Sequence, residues 1–321
     1  MSTENSPERS NAGAPQRLPV ALIAGPTASG KSDCAVRLAL ASEKRGRRAV
    51  VINADSAQVY ADLMVLSARP RAEEMQGIEH RLFGTWDAGL ACSAADWANT
   101  ARAQIAEVLA AGGLPVLVGG TGLYIRTLLD GIAPVPPIDL AVRADVRAMD
   151  PGDAWAALQR EDPGRAAALS ANDRTRIIRA LEVVRSTGRP LAHWQGKRTG
   201  GIIDEIDLRA VILLPERQWL YPRCDARFAA MLESGAIPEV EALLARQLDP
   251  ALPAMRAIGV PEIAAYLRGD CTLDEVRARG SQATRNYAKR QFTWLRHQLS
   301  AQWPRVPPEH FVNEDNFDIL L

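Results

Sequence analysis

The run Pro19-Val20-Ala21-Leu22-Ile23-Ala24 leads directly into Gly25-Pro26-Thr27-Ala28-Ser29-Gly30-Lys31-Ser32. An apolar strand candidate that ends in a glycine-bounded turn, with Gly-Lys-Ser opening a helix, is the phosphate-loop pattern. The spacing has a physical reason. Successive backbone N–H groups must converge on one anion, and glycine permits both the unusual dihedrals and the close approach. Lys31 adds a mobile positive charge, and the Ser32 hydroxyl is suited to Mg²⁺. Cys34, Ala35, Leu38 and Ala39 continue with helical spacing, which puts the loop at a helix N-terminus, where the macrodipole also favours an anion. Such a loop holds a phosphate or diphosphate; the reaction must come from elsewhere in the chain.

Outward from the loop, Ala49-Val50-Val51-Ile52-Asn53-Ala54-Asp55 is a short β-rich run ending in a carboxylate, followed by Ser56-Ala57-Gln58-Val59-Tyr60. Ligands gather at the carboxyl ends of strands in open α/β sheets, so Asp55 belongs beside the loop's anion. A helix N-cap is the equally simple alternative for it. His80 to Trp86 reads as another strand. Ser93-Ala94-Ala95-Asp96 resembles a capping box, and Trp97, Ala101, Ile105, Val108 and Leu109 then form one apolar helical face up to Gly112-Gly113. Leu114 to Val118 is a buried-strand candidate running into Gly119-Gly120-Thr121-Gly122-Leu123-Tyr124, a second glycine-rich strand-to-helix junction. The alternation predicts an α/β fold, a parallel sheet like that of phosphate-loop NTPases flanked by helices.

The pattern changes at Pro134-Val135-Pro136-Pro137, beyond which the chain reads as helical, rich in alanine and arginine, with breaks at Pro151-Gly152 and Pro163-Gly164. Strand character returns over Ile206 to Leu214. The expected organisation is therefore an α/β core over 18–133 and 201–321, with an all-helical insertion over 134–200. Tyr221 to Phe228 opens another helix on which Arg223 and Arg227, four apart, share a face and suit an anion clamp. The last long helix starts at Thr272-Leu273-Asp274-Glu275 and carries a stripe of Arg285, Lys289 and Arg296 with Tyr287, Phe292 and Trp294 interleaved.

Charge gives no global signal, since 38 basic residues balance 38 acidic ones over 321 residues. A polyanionic partner must be met by a local patch. Only four of the cations are lysines, so Lys31 is not the default choice of this chain. Cys34, Cys92, Cys224 and Cys271 lack zinc-module spacing and point to a reducing compartment, the cytoplasm. Residues 1–17, polar and rich in Pro, Ser and Asn, read as a disordered tail without a signal core. No apolar run approaches the ~18 residues of a membrane span.

The ordered set of motifs resembles the tRNA dimethylallyltransferases (tRNA isopentenyltransferases). It comprises Gly25 to Ser32, Asp55 to Tyr60, Val118 to Tyr124, Asn172-Asp173 with Arg176, Arg179 and Ala180-Leu181-Glu182, and Thr187-Gly188-Arg189-Pro190. Arg223 with Arg227, Ala257-Ile258-Gly259, and Thr284-Arg285 through Lys289-Arg290-Gln291 to Thr293-Trp294 complete it. The resemblance covers roughly Val20 to Leu299. It implies transfer of a dimethylallyl group from dimethylallyl diphosphate to N6 of the adenine 3′ to a tRNA anticodon (position 37), by a monomer that uses Mg²⁺. It also implies roles. Gly25, Pro26, Thr27, Ala28, Ser29, Gly30, Lys31 and Ser32 hold the diphosphate with Mg²⁺ on Ser32; Thr27 lies near the bridging oxygen; Asp55 accepts a proton or hydrogen bond from the adenine amine; and Arg223, with Arg227, reaches the diphosphate from the far side.

Positions implied near tRNA are Asp55, Ser56, Ala57 and Gln58; Thr121 and Arg143; Thr175, Arg176, Ile177, Ile178 and Arg179; Arg256, Ala257, Ile258, Gly259, Val260 and Pro261; and Arg285 and Lys289. The chain departs from the family's usual pattern at Ser67-Ala68-Arg69-Pro70, where Gly-Thr-Ala-Lys-Pro is common, and at Gly259-Val260-Pro261, where Gly-Tyr-Lys/Arg is common. The tract Gly84 to Ala91 is atypical as well. Two readings compete with prenyl transfer: a phosphate-loop small-molecule or nucleotide kinase, and a non-catalytic RNA-binding protein.

Overall fold

The computed structural model describes residues 17–321, so the expected tail over 1–17 lies outside the described residues apart from Arg17. The described chain divides into two compact units, one ending at Tyr124 and resuming over Ile203–Leu321, the other Ile125–Ile202. The second takes in a wider span than 134–200.

The first unit is built on strands β1 (Leu18–Ala24), β2 (Ala49–Asn53), β3 (Glu79–Arg81) and β4 (Leu114–Gly119), with α1 (Lys31–Lys44), α2 (Ala72–Met75) and α3 (Ala94–Ala110) between them. Helix α4 (Gly122–Asp130) follows, and the division between the units falls within it. The second unit holds α5 (Leu140–Ala148), α6 (Pro151–Glu161), α7 (Pro163–Ala167), α8 (Arg174–Thr187) and α9 (Leu191–Gln195). Strand β5 (Ile206–Leu213), helices α10 (Arg217–Glu233), α11 (Ala236–Ala245), α12 (Val260–Leu267) and α13 (Leu273–Gln298), and strand β6 (Arg305–Val306) complete the first unit.

All strand pairs are parallel, in the order β3-β2-β4-β1-β5-β6. Every residue of β2 and β4 is buried, as is Val20 to Ala24 of β1. That explains why these strands read as continuous apolar runs: a parallel sheet is covered on both faces. Strands β2, β3 and β4 lie on one side of β1 and β5 and β6 on the other, so the order reverses at β1, which puts a crevice at its carboxyl end.

Two local expectations are corrected. Residues 80–86 do not form one strand: the chain turns at Leu82 (φ 63°) and Gly84 (φ 61°), β3 stops at Arg81, and Trp86 makes only an isolated bridge with Tyr60. Helix α10 starts at Arg217 rather than Tyr221 and carries Pro222 inside it, its first turn held by buried Leu220 packing against Ala28, Cys224 and Ala288. The helical run breaks at Pro151 and Pro163 as expected, and the two prolines open α6 and α7, where proline's missing N–H has no intrahelical role. The capping boxes at Ser93 and Thr272 form as expected.

Candidate active site

The loop after β1 is shaped by two positive dihedrals, Ala28 at φ 62° and Gly30 at φ 82°. The Gly25 N–H donates to the Gly119 carbonyl (3.1 Å) and the Ser29 N–H to the Pro26 carbonyl (3.3 Å), so the turn folds back on itself. Lys31 opens α1, is 6% exposed, and donates from Nζ to the Pro26 carbonyl (3.3 Å). Its Nζ lies 4.0 Å from Asp55 Oδ2. Burial pulls the Lys31 ammonium from 10.5 down to about 8, with Asp55 pushing it back up and Arg227 pulling it further down. Ala28 to Asp33, Arg223 and Arg227 line a cleft of about 630 Å³. The buried Ser29 hydroxyl has no partner among the described residues. Two arginines and a buried ammonium give this cleft positive charge, the chemistry an anion would need.

Asp55 sits at the end of β2 on a fixed turn. Asn53, wholly buried, accepts the Asp55 N–H at Oδ1 (2.8 Å) and donates from Nδ2 to the Asp55 carbonyl (3.0 Å). Trp97 Nε1 in turn donates to the Asn53 carbonyl (2.9 Å). The two carboxylate oxygens divide the readings made from sequence. Oδ1 accepts the Ala57 N–H (3.1 Å), as a turn cap does, while Oδ2 faces Lys31.

A second cavity, of about 320 Å³, begins at this carboxylate. Thr27, Asp55, Ser56 and Ala57 form one wall; Leu63, Leu66, Phe228 and Met231 an apolar one; Arg227, Arg256, Tyr287 and Arg290 bring polar groups to it. Arg227 lines both this cavity and the cleft. Lys31 of the cleft also faces Asp55 of the cavity, 4.0 Å away. Arg227 is drawn below its ordinary basicity by burial, against the pull of Asp55, yet stays charged.

The remaining expected residues fall into three groups. Arg223 lies over the Trp219 ring (4.4 Å) and donates from Nε to the Ala28 carbonyl (3.1 Å), so it braces the loop as well as facing the cleft. Ala257 and Ile258 line the cavity. Thr121 accepts the Ser56 N–H (2.9 Å) and so fixes the wall beside Asp55.

Gln58 turns inward instead, donating to the Ser67 and Ala68 carbonyls (3.1 and 2.9 Å). Gly259 (φ 99°) and buried Val260 start α12, with the Gly259 N–H held by Glu262 (2.9 Å), so Val260-Pro261 serves helix initiation. Arg285 pairs with Asp225, while Lys289 is exposed. Arg69 donates to the Tyr60 and Ala61 carbonyls (3.4 and 3.5 Å), away from the anion cleft.

In the helical unit, Ile177 packs in the core with Val146, Leu158 and Leu181. Arg176 pairs with Asp173, the helix cap, and Arg179 with Glu182. Thr175 is exposed; Ile178 and Arg143 are half-buried.

Sequence reading missed several cavity walls. Tyr287 is assigned there only to an aromatic series; its hydroxyl is pushed up by burial and by Asp55, and bonds to Thr121 and Ser56 draw it back. Arg290 lies 5.8 Å from the Tyr287 ring. Leu63 to Ser67 is held by Glu239, whose carboxylate accepts the N–H groups of Met64, Val65 and Leu66 (2.6, 2.7 and 2.9 Å). No sequence spacing links residues so far apart.

A parallel sheet whose switch point carries a glycine-bounded loop, with a positively charged cleft there and a second cavity at the neighbouring carboxylate, defines a phosphate-loop protein. A family model described as IPP transferase matches residues 58–298. The chain belongs to the IPP transferase family. The tRNA dimethylallyltransferase of Erythrobacter litoralis is 61% identical over 306 residues, covering 95% of this chain and 96% of the relative. That of Novosphingobium aromaticivorans is 62% identical over 277 residues, covering 86% and 99%. Among solved structures, the full-length tRNA isopentenylpyrophosphate transferase of Bacillus halodurans aligns with TM-score 0.66 at 30% identity, covering 94% of each chain. A eukaryotic dimethylallyltransferase described as acting on tRNA aligns with TM-score 0.73 at 26% identity, over 87% of this chain and 70% of its own.

Proposed function

We propose that the chain transfers the dimethylallyl group of dimethylallyl diphosphate to N6 of the adenine 3′ to a tRNA anticodon, position 37, releasing diphosphate. It is a prenyltransferase that modifies tRNA. The observation that carries this reading is that the cleft and the 320 Å³ cavity share Arg227, with Lys31 of the cleft and Asp55 of the cavity 4.0 Å apart. A kinase needs the loop to present a phosphoryl group to an acceptor, whereas here the carboxylate borders a largely apolar space. The relatives are named dimethylallyltransferases, which sets the kinase reading aside.

In this reading the N6–C bond forms as the allylic C–O bond breaks, and the bonding pair leaves with the diphosphate. The loop amides, Lys31, Arg223 and Arg227 offset the charge growing on that group. Thr27 stands at the divide, next to the bridging oxygen. Asp55 accepts the N6 proton and aims the nitrogen.

The donor set suits Mg²⁺ as a cation shared with the ligand. Among the described residues no group of three or more His, Cys, Asp or Glu is placed to hold a metal, so Ser32 would supply one oxygen and diphosphate and water the rest. When bound, the ion spreads the leaving group's charge. The adenine must be unstacked to enter, as a loop nucleotide can be. We assign Arg143, Thr175, Arg176 and Arg179 of the helical unit, and Lys289, to tRNA contact. Three of the four cysteines are buried and all four are unpaired, which supports a cytoplasmic setting, and we take the protein to act as a monomer.

The test is mass spectrometry of nucleosides from unmodified tRNA incubated with the protein, Mg²⁺ and dimethylallyl diphosphate. N6-dimethylallyladenosine is expected, and its absence overturns the reading. Asp55→Ala should lower turnover by about 10²- to 10⁴-fold, the range of general-base catalysis, with tRNA affinity little changed. Equal loss of affinity and turnover would make Asp55 a recognition residue.

A further inference from the structure

Helix α13 packs Ala288 near Ala28 of the phosphate loop and hydrogen-bonds the loop through Gln291. Its side chain is 5% exposed, and its Oε1 accepts the Thr27 N–H at 2.8 Å. A phosphate loop ordinarily aims its amides at the anion. The Thr27 amide is instead taken by a side chain from a helix 264 residues away in sequence. The consequence shows in the two spaces. Thr27 lines the cavity that holds Asp55, whereas Ala28 to Ser32 line the anion cleft. Gln291 thus fixes the point at which the loop passes from one to the other.

The other half of the carboxamide is confined as well. Gln291 Nε2 is buried without a hydrogen-bond partner, and a Cβ on Gly120 would fall 2.3 Å from it. The amide group is wedged between the second glycine junction and the loop, so it has no room to turn away from Thr27. Tyr287, one turn earlier on α13, and the adjacent Arg290 line the cavity that Thr27 lines.

We infer that Gln291 is a positioning residue, which acts through Thr27 by holding that residue's backbone so that its hydroxyl meets the leaving group. The inference rests on the reading of the function above. It is tested with Gln291→Met, which keeps length and packing but removes the acceptor, with Thr27→Val, and with the double variant. Gln291→Met should lower kcat by roughly 10- to 100-fold, the scale of a misplacement of about 1 Å. Its tRNA affinity and melting temperature should stay near those of the parent. The loss should largely vanish in the Thr27→Val background, because both changes disable one hydroxyl.

Losses that multiply, or a lower melting temperature with kcat intact, would reduce Gln291 to a packing residue. If the parent protein forms no prenylated nucleoside, the functional reading has failed, and hydrogen exchange judges the contact by itself. Gln291→Met should then speed exchange at the Thr27 amide of the ligand-free protein, and unchanged exchange would overturn the inference.

Discussion

The two glycine-rich junctions, Gly25 to Lys31 after β1 and Gly119 to Gly122 at the end of β4, look alike in sequence, yet Gly30 of the first and the glycines of the second serve opposite purposes. At the first, Gly30 adopts φ 82°, and a Cβ there would meet nothing within 4 Å. It supplies a conformation. At the second, the glycines have no positive φ among the described exceptions, and a Cβ would collide: on Gly119 at 2.2 Å from the Ala54 backbone, on Gly122 at 1.9 Å from the Trp294 ring. These glycines supply space. The first junction builds an anion cradle; the second lets β2, and with it Asp55, and α13 approach that cradle. A glycine-rich turn at a strand end is therefore no evidence of a phosphate site until its dihedrals are known.

The largest effect should come from Gly119→Ala. Its Cβ would press on backbone, which cannot swing aside as a long side chain can, so the cost is about 3 kcal/mol, the upper end of the range for overpacking. The Ala54 N–H donates to the Val118 carbonyl (2.7 Å) and Asp55 follows directly, so turnover should fall with stability. Denaturant midpoint and prenyl transfer, measured together, check this. Full stability in Gly119→Ala would mean that the second junction is not a close contact.

Much of this contrast was hidden in the sequence for identifiable reasons. The α/β class, the loop and Asp55 were legible because each is a local pattern: a buried parallel strand is apolar throughout, and the Gly-Lys-Ser spacing is short. The long Ser93 and Thr272 capped helices were legible for the same reason. The opposite wall was not. Gln291 meets the loop, Tyr287 meets Ser56 and Thr121, and Glu239 meets the Leu63 to Ser67 turn only through tertiary packing. Even where the residue was right, its task was not fixed by its motif. Gln58, assigned to tRNA by resemblance, spends its donors on two carbonyls, and Val260-Pro261 opens a helix.

Gly30→Ala should give the reverse of Gly119→Ala. The left-handed conformation costs a non-glycine residue about 1–2 kcal/mol, with no clash to add. Stability should therefore fall by at most about 1–2 kcal/mol, less than in Gly119→Ala, while relaxation of the turn swings the following amides off the anion. Inorganic diphosphate should bind about tenfold more weakly, equivalent to some 1.4 kcal/mol. Calorimetry against the parent protein measures it. A variant that binds normally would show that Lys31 and the arginines, not the turn, make the cradle.

The smallest effect is a proton. Lys31 titrates at about 8 in the ligand-free chain, below its ordinary 10.5, because burial disfavours the charged form. With the folded value depressed, the penalty of the buried charge is present below pH 8 and disappears as the pH rises from 8 towards 10.5, so Lys31 alone makes stability rise across that window. An anion in the cleft reverses the balance by favouring the ammonium. Diphosphate binding at pH 8 should then take up about half a proton, and affinity should fall as the pH rises further. Calorimetry in two buffers of different ionisation enthalpy reads the uptake, and Lys31→Met should abolish this part of it. Absence of uptake in the parent would mean that Asp55, 4.0 Å away, already keeps Lys31 charged. The carboxylate carried in by the second junction, rather than burial at the first, would then set the charge of the cleft.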